Sequence, residues 1–365
     1  MSDGEWDAIV VGAGPAGSAL ACRLCPQRRV LLLDRAPLRD AATAPRIGES
    51  LPGAARVVLQ RCGAWQRFAA AGHAERGATV SQWDSDEPVW FDHLRDPNGP
   101  GWHLDRNRFD RDLRDTAVAA GAVLLDDAGT LRIARDGDRW TVAGGARGGV
   151  HRAPLLIDAT GRSAAIARQL GIARRVEDEL ICLHAYLPAD PDDDDRCTRI
   201  GADDNGWWYS VRVPDGRRVL AFHLDAGDAE LRTLRVASNL LAKARRLAVL
   251  ADVLPDASDA AVHARPAGSA VLDGGAGAHG ATGFLAIGDA GLSFDPVASQ
   301  GLFHALASAE SAANAIARDD AIAAHAAFAG EMRAVHAHYR NRLRDTYAGP
   351  VRFAHRAFWS RRASY

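Results

Sequence analysis

The chain has 365 residues, 47% hydrophobic and 25% charged, with a formal net charge of −2. That length leaves room for a large core in two lobes, and the balanced charge argues against a nucleic-acid partner, since no zinc-ligand spacing or aromatic-basic RNA motif accompanies it. No apolar run nears the roughly 18 to 20 residues that span a bilayer. The first residues read as a strand rather than a signal peptide, so a cytoplasmic location without membrane association is expected. Five cysteines, at 22, 25, 62, 182 and 197, are an odd set for a disulfide framework. Cys22 and Cys25 are spaced as CxxC but fall on a helix, where they read as buried small side chains. Among 44 basic residues there is one lysine, Lys243, and no metal site is expected.

The first strong pattern lies between Trp6 and Arg35. An apolar run, Ala8 to Val11, meets Gly12-Ala13-Gly14-Pro15-Ala16-Gly17, a small-residue helix follows, and a second apolar run, Val30 to Leu33, ends at Asp34-Arg35. Strand, glycine turn, helix, strand and acid form a dinucleotide-binding fingerprint. Gly12 permits the turn, Gly14 lets backbone approach a pyrophosphate, Gly17 lets the helix pack closely, and the helix N-terminus from Ala16 onward offers free N–H groups. Asp34 is placed to accept hydrogen bonds from ribose hydroxyls.

A polar loop then leads to Arg46-Ile47-Gly48-Glu49-Ser50-Leu51-Pro52-Gly53, read as part of the same cradle, and to a helix over 54–62. Residues 78–104, with Trp83, Trp90, Phe91 and Trp102, read as short strands whose aromatics line a pocket or pack a core. Asp105 opens an amphipathic helix to Ala120, and Ala122 to Leu125 is the next parallel strand. Trp140 to Val142, a turn at 144–149 and a return reaching Leu155-Leu156-Ile157 predict a hairpin. Asp158-Ala159-Thr160-Gly161-Arg162-Ser163 is a strand passing into a glycine turn, where ligands bind in α/β sheets.

From about 175 to 265 alternating segments, Leu180 to Leu187, Trp207 to Val213 and Arg218 to His223, predict antiparallel strands. The acidic run Asp192 to Asp195 reads as a solvated loop, and a helix is expected from about Ala229 to Ala251. Phe284 to Ala290 is an apolar strand ending in Gly288-Asp289. Its loop carries Asp295-Pro296, and Gly301 enters an alanine-rich helix to about Ala317. A carboxylate at a strand tip before a helix N-terminus suits a polyol hydroxyl and an electron-rich ring edge. The tail from Glu331 holds eight arginines and reads as helical with a solvated basic face, docking of an acidic partner being the other reading.

GAGPAG with Asp34, DATGRS at 158–163 and GDA at 288–290 followed by DPVASQGL, with RxxFD at 106–110, together resemble the flavoprotein hydroxylase superfamily. The resemblance implies an α/β fold with a glutathione-reductase-type FAD-binding Rossmann lobe (1–75, 104–172 and 268–320). It also implies an inserted mixed or antiparallel sheet substrate domain (76–103 and 173–267) and a C-terminal helical segment (321–365). By that resemblance Asp289 holds the ribityl chain, Gly161 and Gly288 shape the cleft, and Pro296, Gln300 and Gly301 face the flavin edge. Arg46 and Arg106 then lie beside FAD.

RIGESLPG, GWWYS and DPVASQGL look most like the branch of tryptophan halogenases and LodB-like flavoproteins, which mature a quinoprotein oxidase. Halogenases are expected to use a lysine ahead of the second lobe and a WxWxIP signature, whereas residues 1–242 hold no lysine and Trp207-Trp208-Tyr209-Ser210-Val211 does not match. The resemblance therefore implies an FAD-dependent monooxygenase that hydroxylates an aromatic ring, indole above all, through a peroxyflavin. A tryptophan in a partner oxidase polypeptide, modified during tryptophylquinone formation, is one substrate. A small-molecule aromatic hydroxylase or halogenase and a non-catalytic FAD-binding maturation partner remain alternatives. Glu49 and His304 are the candidates for polar assistance, and Trp207, Trp208 and Tyr209 for an aromatic wall. No second GxGxxG occurs, leaving reduction to transiently bound NAD(P)H or to reduced flavin from a partner reductase.

Overall fold

A computed structural model describes residues 4–25, 27–35, 46–144, 149–272, 283–318 and 320–364. Strand β1 (Ala8–Val11) enters the glycine turn, α1 (Pro15–Leu24) follows, and β2 (Val30–Leu33) lies parallel to β1 with Val11 opposite Leu33. Every residue of both strands is buried, because Ala8, Val10, Val30 and Leu32 pack under α1 while Ile9, Val11, Leu31 and Leu33 pack on the other face against Trp140, Val142 and Ala153. The predicted loop after Arg35 falls at 36–45, outside the described residues.

The 54–62 helix spans Ala55–Arg61. Strands β3 (Ala78–Gln82) and β4 (Val89–Asp92) precede α2 (Arg106–Ala119), whose Asp105 cap accepts from the Arg108 N–H at 3.0 Å. Strand β5 (Val123–Leu125) then joins β2, and β6 (Leu155–Asp158) joins β1 on its other side, both in parallel.

The predicted hairpin forms between Arg139–Gly144 and Val150–Ala153, with its tip at 145–148 outside the described residues. Its return strand stops at Ala153, and Leu155 to Ile157 belong instead to β6 in the parallel sheet. Pro154, which has no N–H to donate, separates the two.

Five strands follow, β7 (Leu180–Leu187), β8 (Thr198–Asp203), β9 (Gly206–Arg212), β10 (Arg218–Asp225) and β11 (His263–Pro266). The chain returns to the first sheet as β12 (Phe284–Ala286), then forms α3 (Gly301–Ile316), α4 (Ala321–Ala348) and α5 (Ala357–Ala363). The parallel sheet is ordered β12-β6-β1-β2-β5, and a seven-stranded sheet β11-β7-β10-β9-β8-β3-β4. The second sheet is antiparallel except where β8 runs parallel to β3.

Two expectations for the second sheet change. The 229–251 segment is not one helix but two short turns followed by Ala237–Ala244 and Ala248–Ala251, interrupted where Val236 and Leu247 are extended. The acidic run is only partly solvated. Asp193 accepts from buried Arg218 at 2.7 Å, and Asp195 from Arg199 at 2.7 Å and Arg218 at 3.1 Å. Among the described residues no helix is long and apolar enough to cross a membrane.

The basic tail is part of the core. Tyr347, Phe358 and Trp359 are buried, and Arg362, at 0% exposure, places Nε and Nη2 at 2.9 and 2.8 Å from Asp178 and Nη2 at 2.8 Å from Asp225. Its guanidinium lies 3.9 Å from the Phe358 ring centre. Arg362→Ala leaves Asp178 buried without its countercharge and is expected to cost about 3 to 5 kcal/mol. Urea denaturation checks this, and an unchanged midpoint would show that the tail does not brace the second sheet.

Candidate functional site

A cavity of about 760 Å³ lies between the two sheets, reaching from Asp34 and Gln169 at one end to Trp207, Tyr209 and His223 at the other. Its floor is the glycine turn. Gly12 sits at φ 107°, where a Cβ would lie 2.2 Å from Ala159 O, and a Cβ on Gly17 would lie 1.9 Å from Gly12 O. These two glycines are required by contact of backbone with backbone. Gly17 accordingly packs rather than lining the cavity. Gly14 differs: a Cβ there meets nothing within 4 Å, and it caps α1 without a side-chain hydrogen bond. The helix therefore presents its unpaired first N–H groups and the positive end of its dipole where Gly14, Pro15 and Ala16 line the cavity.

Arg35 also lines the cavity, and Asp34 is held there by Arg114. The Arg114 guanidinium pairs with Asp34 through Nη2 and donates from Nε to Ala13 O at 2.8 Å. One side chain thus ties the acid after β2 to the glycine turn after β1. Arg46 and Arg106 line the same cavity and converge on buried Asp110, at 2.6 and 3.2 Å, while Arg106 Nη1 also donates to Ile47 O at 2.7 Å. The spacing 106, 110, 114 places all three on one face of α2. That face was the sequence signal for Arg114, which motif reading passed over.

The second and third glycine corners meet the first. Buried Asp158 accepts from Thr160 N at 2.9 Å, Ile166 N at 3.1 Å and Ala167 N at 2.8 Å, shaping the turn that carries Gly161. Arg162 donates to Gly268 O at 2.7 Å and to Phe294 O, and its Nε lies 3.6 Å from Asp289 Oδ2. Asp289, Pro296 and Gly301 line the cavity. Gly288 does not; a Cβ there would lie 2.9 Å from the Ala16 side chain, so it serves the close approach of this turn to α1. Gln300 is exposed and outside the cavity wall, its carbonyl accepting the His304 N–H at 2.7 Å.

The far wall is one face of β7, β9 and β10, where period-two alternation turns Trp207, Tyr209, Cys182, Ala221 and His223 inward. The Trp207 and His223 rings stack at 3.6 Å and 8°. Trp208 points the other way. It stacks on Phe222 at 4.3 Å in a second core, formed with Leu240, Leu241 and Leu250 on the opposite face of the seven-stranded sheet, and is excluded from the cavity. None of the earlier aromatics reaches the cavity either, since Trp83 and Trp102 pack against other rings while Trp90 and Phe91 are exposed on edge strand β4.

Glu49 and Ser50 meet this wall. The Tyr186 hydroxyl lies 3.1 Å from Glu49 Oε1 and 2.8 Å from Arg46 O, and Ser50 Oγ is 3.0 Å from the Tyr209 hydroxyl. Burial pushes the Glu49 carboxyl above its ordinary range, against the pull of Arg106 and the Tyr186 hydroxyl. His304, by contrast, is buried against Phe294 at 4.7 Å, outside the cavity, because its position on α3 faces the core.

A phosphate-accepting helix start, an anchored acid after the second strand and a third corner offering a carboxylate define a dinucleotide-binding flavoprotein. The chain belongs to the family described as FAD binding domain, whose model matches residues 5–199. It is 25% identical over 381 aligned residues to LodB of Marinomonas mediterranea, which carries the name FAD-dependent oxidoreductase, with 99% of this chain and 98% of LodB covered. It is 28% identical to the tryptophan 2-halogenase of Chondromyces crocatus over 169 residues, 44% of this chain but only 31% of the halogenase. Among solved structures, the flavin-dependent halogenase CmlS superposes with a TM-score of 0.80 at 23% identity, covering 98% of this chain and 67% of CmlS. The peptidyl tryptophan dihydroxylase QhpG superposes at 0.79 and 23%, covering 98% of this chain and 79% of QhpG. The chain thus has the fold of FAD-dependent oxidoreductases.

Its own geometry fits FAD, since the open position at Gly14 lies where a side chain would block a diphosphate. Gly14→Val should leave the FAD-free fold intact and give a colourless protein; retained yellow colour would contradict this placement. Burial lowers His103 and His223 to about 3, and His184 and His304 to about 4. Between pH 6.5 and these values the unfolded chain binds protons that the folded chain does not, so stability falls as pH falls through that window. Asp295, raised by burial to about 6, acts with the opposite sign, as do the raised Glu49 and Asp112, while His73, lowered to about 4, adds to the four histidines. The melting temperature should decline from pH 7 to 4, and His103→Gln should flatten the decline.

Proposed function

We propose that this chain is an FAD-dependent monooxygenase that hydroxylates an indole, the side chain of a tryptophan in a partner polypeptide. The observation that carries the reading is the aromatic wall of Trp207 and Tyr209 facing the glycine corners across one cavity, with buried Glu49 beside it. End-to-end similarity to LodB and the shared fold of QhpG support it. On this reading residues 76–103 and 173–267 form the substrate side and the remaining sheet the cofactor side.

Bound and reduced, FAD supplies the oxygen-activating chemistry. Gly14 and Ala16 at the start of α1 would hold its diphosphate, on a turn that Gly12 shapes while its N–H donates to Leu33 O. Asp34 would take its ribose hydroxyls and Asp289 its ribityl chain, and Pro296 and Gly301 would present backbone to the ring edge. The β7, β9 and β10 face excludes water and stacks the substrate ring. An indole needs no prior deprotonation, but hydroxylation releases a ring proton. Glu49, a buried carboxylate on the cofactor side that meets the substrate wall through the Tyr186 hydroxyl, accepts that proton.

Lys243 favours oxygen over halogen transfer. It lies 2.8 Å from Glu230 and 3.6 Å from Asp203 and Asp204, in the second core and away from the cavity. No other lysine exists to relay a hypohalous acid.

The test supplies holoenzyme with oxygen, halide and either NAD(P)H or reduced FAD, and offers tryptophan-containing peptides and free tryptophan. Mass spectrometry should find one or two oxygen atoms added to peptidyl tryptophan. Chlorine or bromine would make it a halogenase, and FAD binding without mass gain on any substrate would make it a non-catalytic partner. Glu49→Gln should retain FAD and lower kcat on the order of 100-fold.

A further inference from the structure

We propose that Tyr347, on the C-terminal helix α4 and outside every glycine motif, is a positioning residue whose hydroxyl sets the spacing between the 295–301 loop and the Trp207 wall. The inference rests on the reading above in one respect, that this loop faces the flavin and that wall the substrate.

A tyrosine hydroxyl has one proton to give and lone pairs to accept with. Here it donates to Asp295 Oδ2 at 2.7 Å and accepts from Trp207 Nε1 at 3.1 Å. Asp295 opens the loop and Trp207 stands on the opposite sheet, so one oxygen atom bridges the two sides of the cavity. The loop is gripped a second time from the same helix. Asp295 N donates to the Tyr339 hydroxyl at 2.8 Å, and that hydroxyl lies 2.5 Å from Ser269 Oγ. Asp295 Oδ1 accepts from Val297 N at 2.9 Å, so both carboxylate oxygens are engaged.

The Tyr347 ring cannot swing away. Trp359, Phe358 and Trp83 surround it at 5.7, 6.0 and 6.5 Å between ring centres, and the Arg362 guanidinium lies 5.5 Å from it. Deleting the hydroxyl leaves a carboxylate oxygen and an indole N–H buried without partners, which forces loop and wall to move. The groups facing the Asp295 carboxyl are Tyr347 of α4, Asp178 ahead of β7 and Arg362 of α5, with Tyr339 on its backbone. Burial holds that carboxyl up at about 6 while the Tyr347 donor pulls it down, so Tyr347→Phe raises it further.

The experiment uses FAD-loaded full-length protein and compares wild type, Y347F, W207F and the double variant. The flavin visible band, titrated with pH, should show a midpoint near 6 in wild type that moves up by about one unit in Y347F. The same midpoint in both, or none in either, overturns the proposal. With aromatic substrate, Y347F should raise KM at least about fivefold, and Y347F and W207F should be non-additive because each removes one end of the same bridge. Additive effects overturn the coupling. Should Y347F not fold, W207F tests the bridge from its other end, and a wild-type KM there overturns it. A shifted flavin midpoint in a protein that hydroxylates nothing would leave the positioning role standing and remove the substrate reading.

Discussion

At Gly12 the backbones of two strand ends touch. A methyl group there would sit 2.2 Å from Ala159 O, and one on Gly17 would sit 1.9 Å from Gly12 O. Because nothing separates these segments, β1, α1 and the turn after β6 form a single rigid corner, and the orientation of the α1 N-terminus toward the cavity follows from it. Asp158 completes the corner from the other strand by satisfying the N–H groups of Thr160, Ile166 and Ala167. Arg114 and Arg162 then fasten the more distant parts, Asp34 to the glycine turn and the 289–294 segment to the second corner.

The second sheet works because its two faces are chemically different. One face, with Trp208, Phe222 and the helix around Leu240 and Leu241, is a closed core in which Lys243 lies 5.4 Å from the Phe222 ring and is neutralised by three carboxylates. The other face is open to the cofactor cavity and carries rings and one buried carboxylate, Glu49, at its margin. A surface of that kind suits an apolar, electron-rich ring held away from water, and the absence of a lysine on it is what separates the proposed hydroxylation from halogen transfer.

The C-terminal helices bind the two sheets together. Arg362 answers Asp178, just ahead of β7, and Asp225 of the second sheet, while Tyr339 and Tyr347 reach the loop after β12. Five residues of this tail, Tyr339, Tyr347, Phe358, Trp359 and Arg362, are almost fully buried. A segment whose composition reads as a solvated basic face is therefore part of the architecture around the cavity.

The glycine fingerprint, the buried parallel strands, the antiparallel run and the helix from Gly301 were legible in the chain because each is a local pattern: a turn chemistry, an apolar run or a fixed period. The order of the three glycine corners was legible for the same reason. Trp208 and His304 show the limit, for a strand or helix can be recognised while its inward face is left to whatever packs against it. Arg114 and Asp34 are 80 residues apart, Trp207 and Tyr347 140, and Arg362 and Asp178 184. No local period links such pairs. Each polar group could have met water or several other partners in the unfolded chain, and only burial, which makes an unpaired charge or N–H costly, selects the partner it finds.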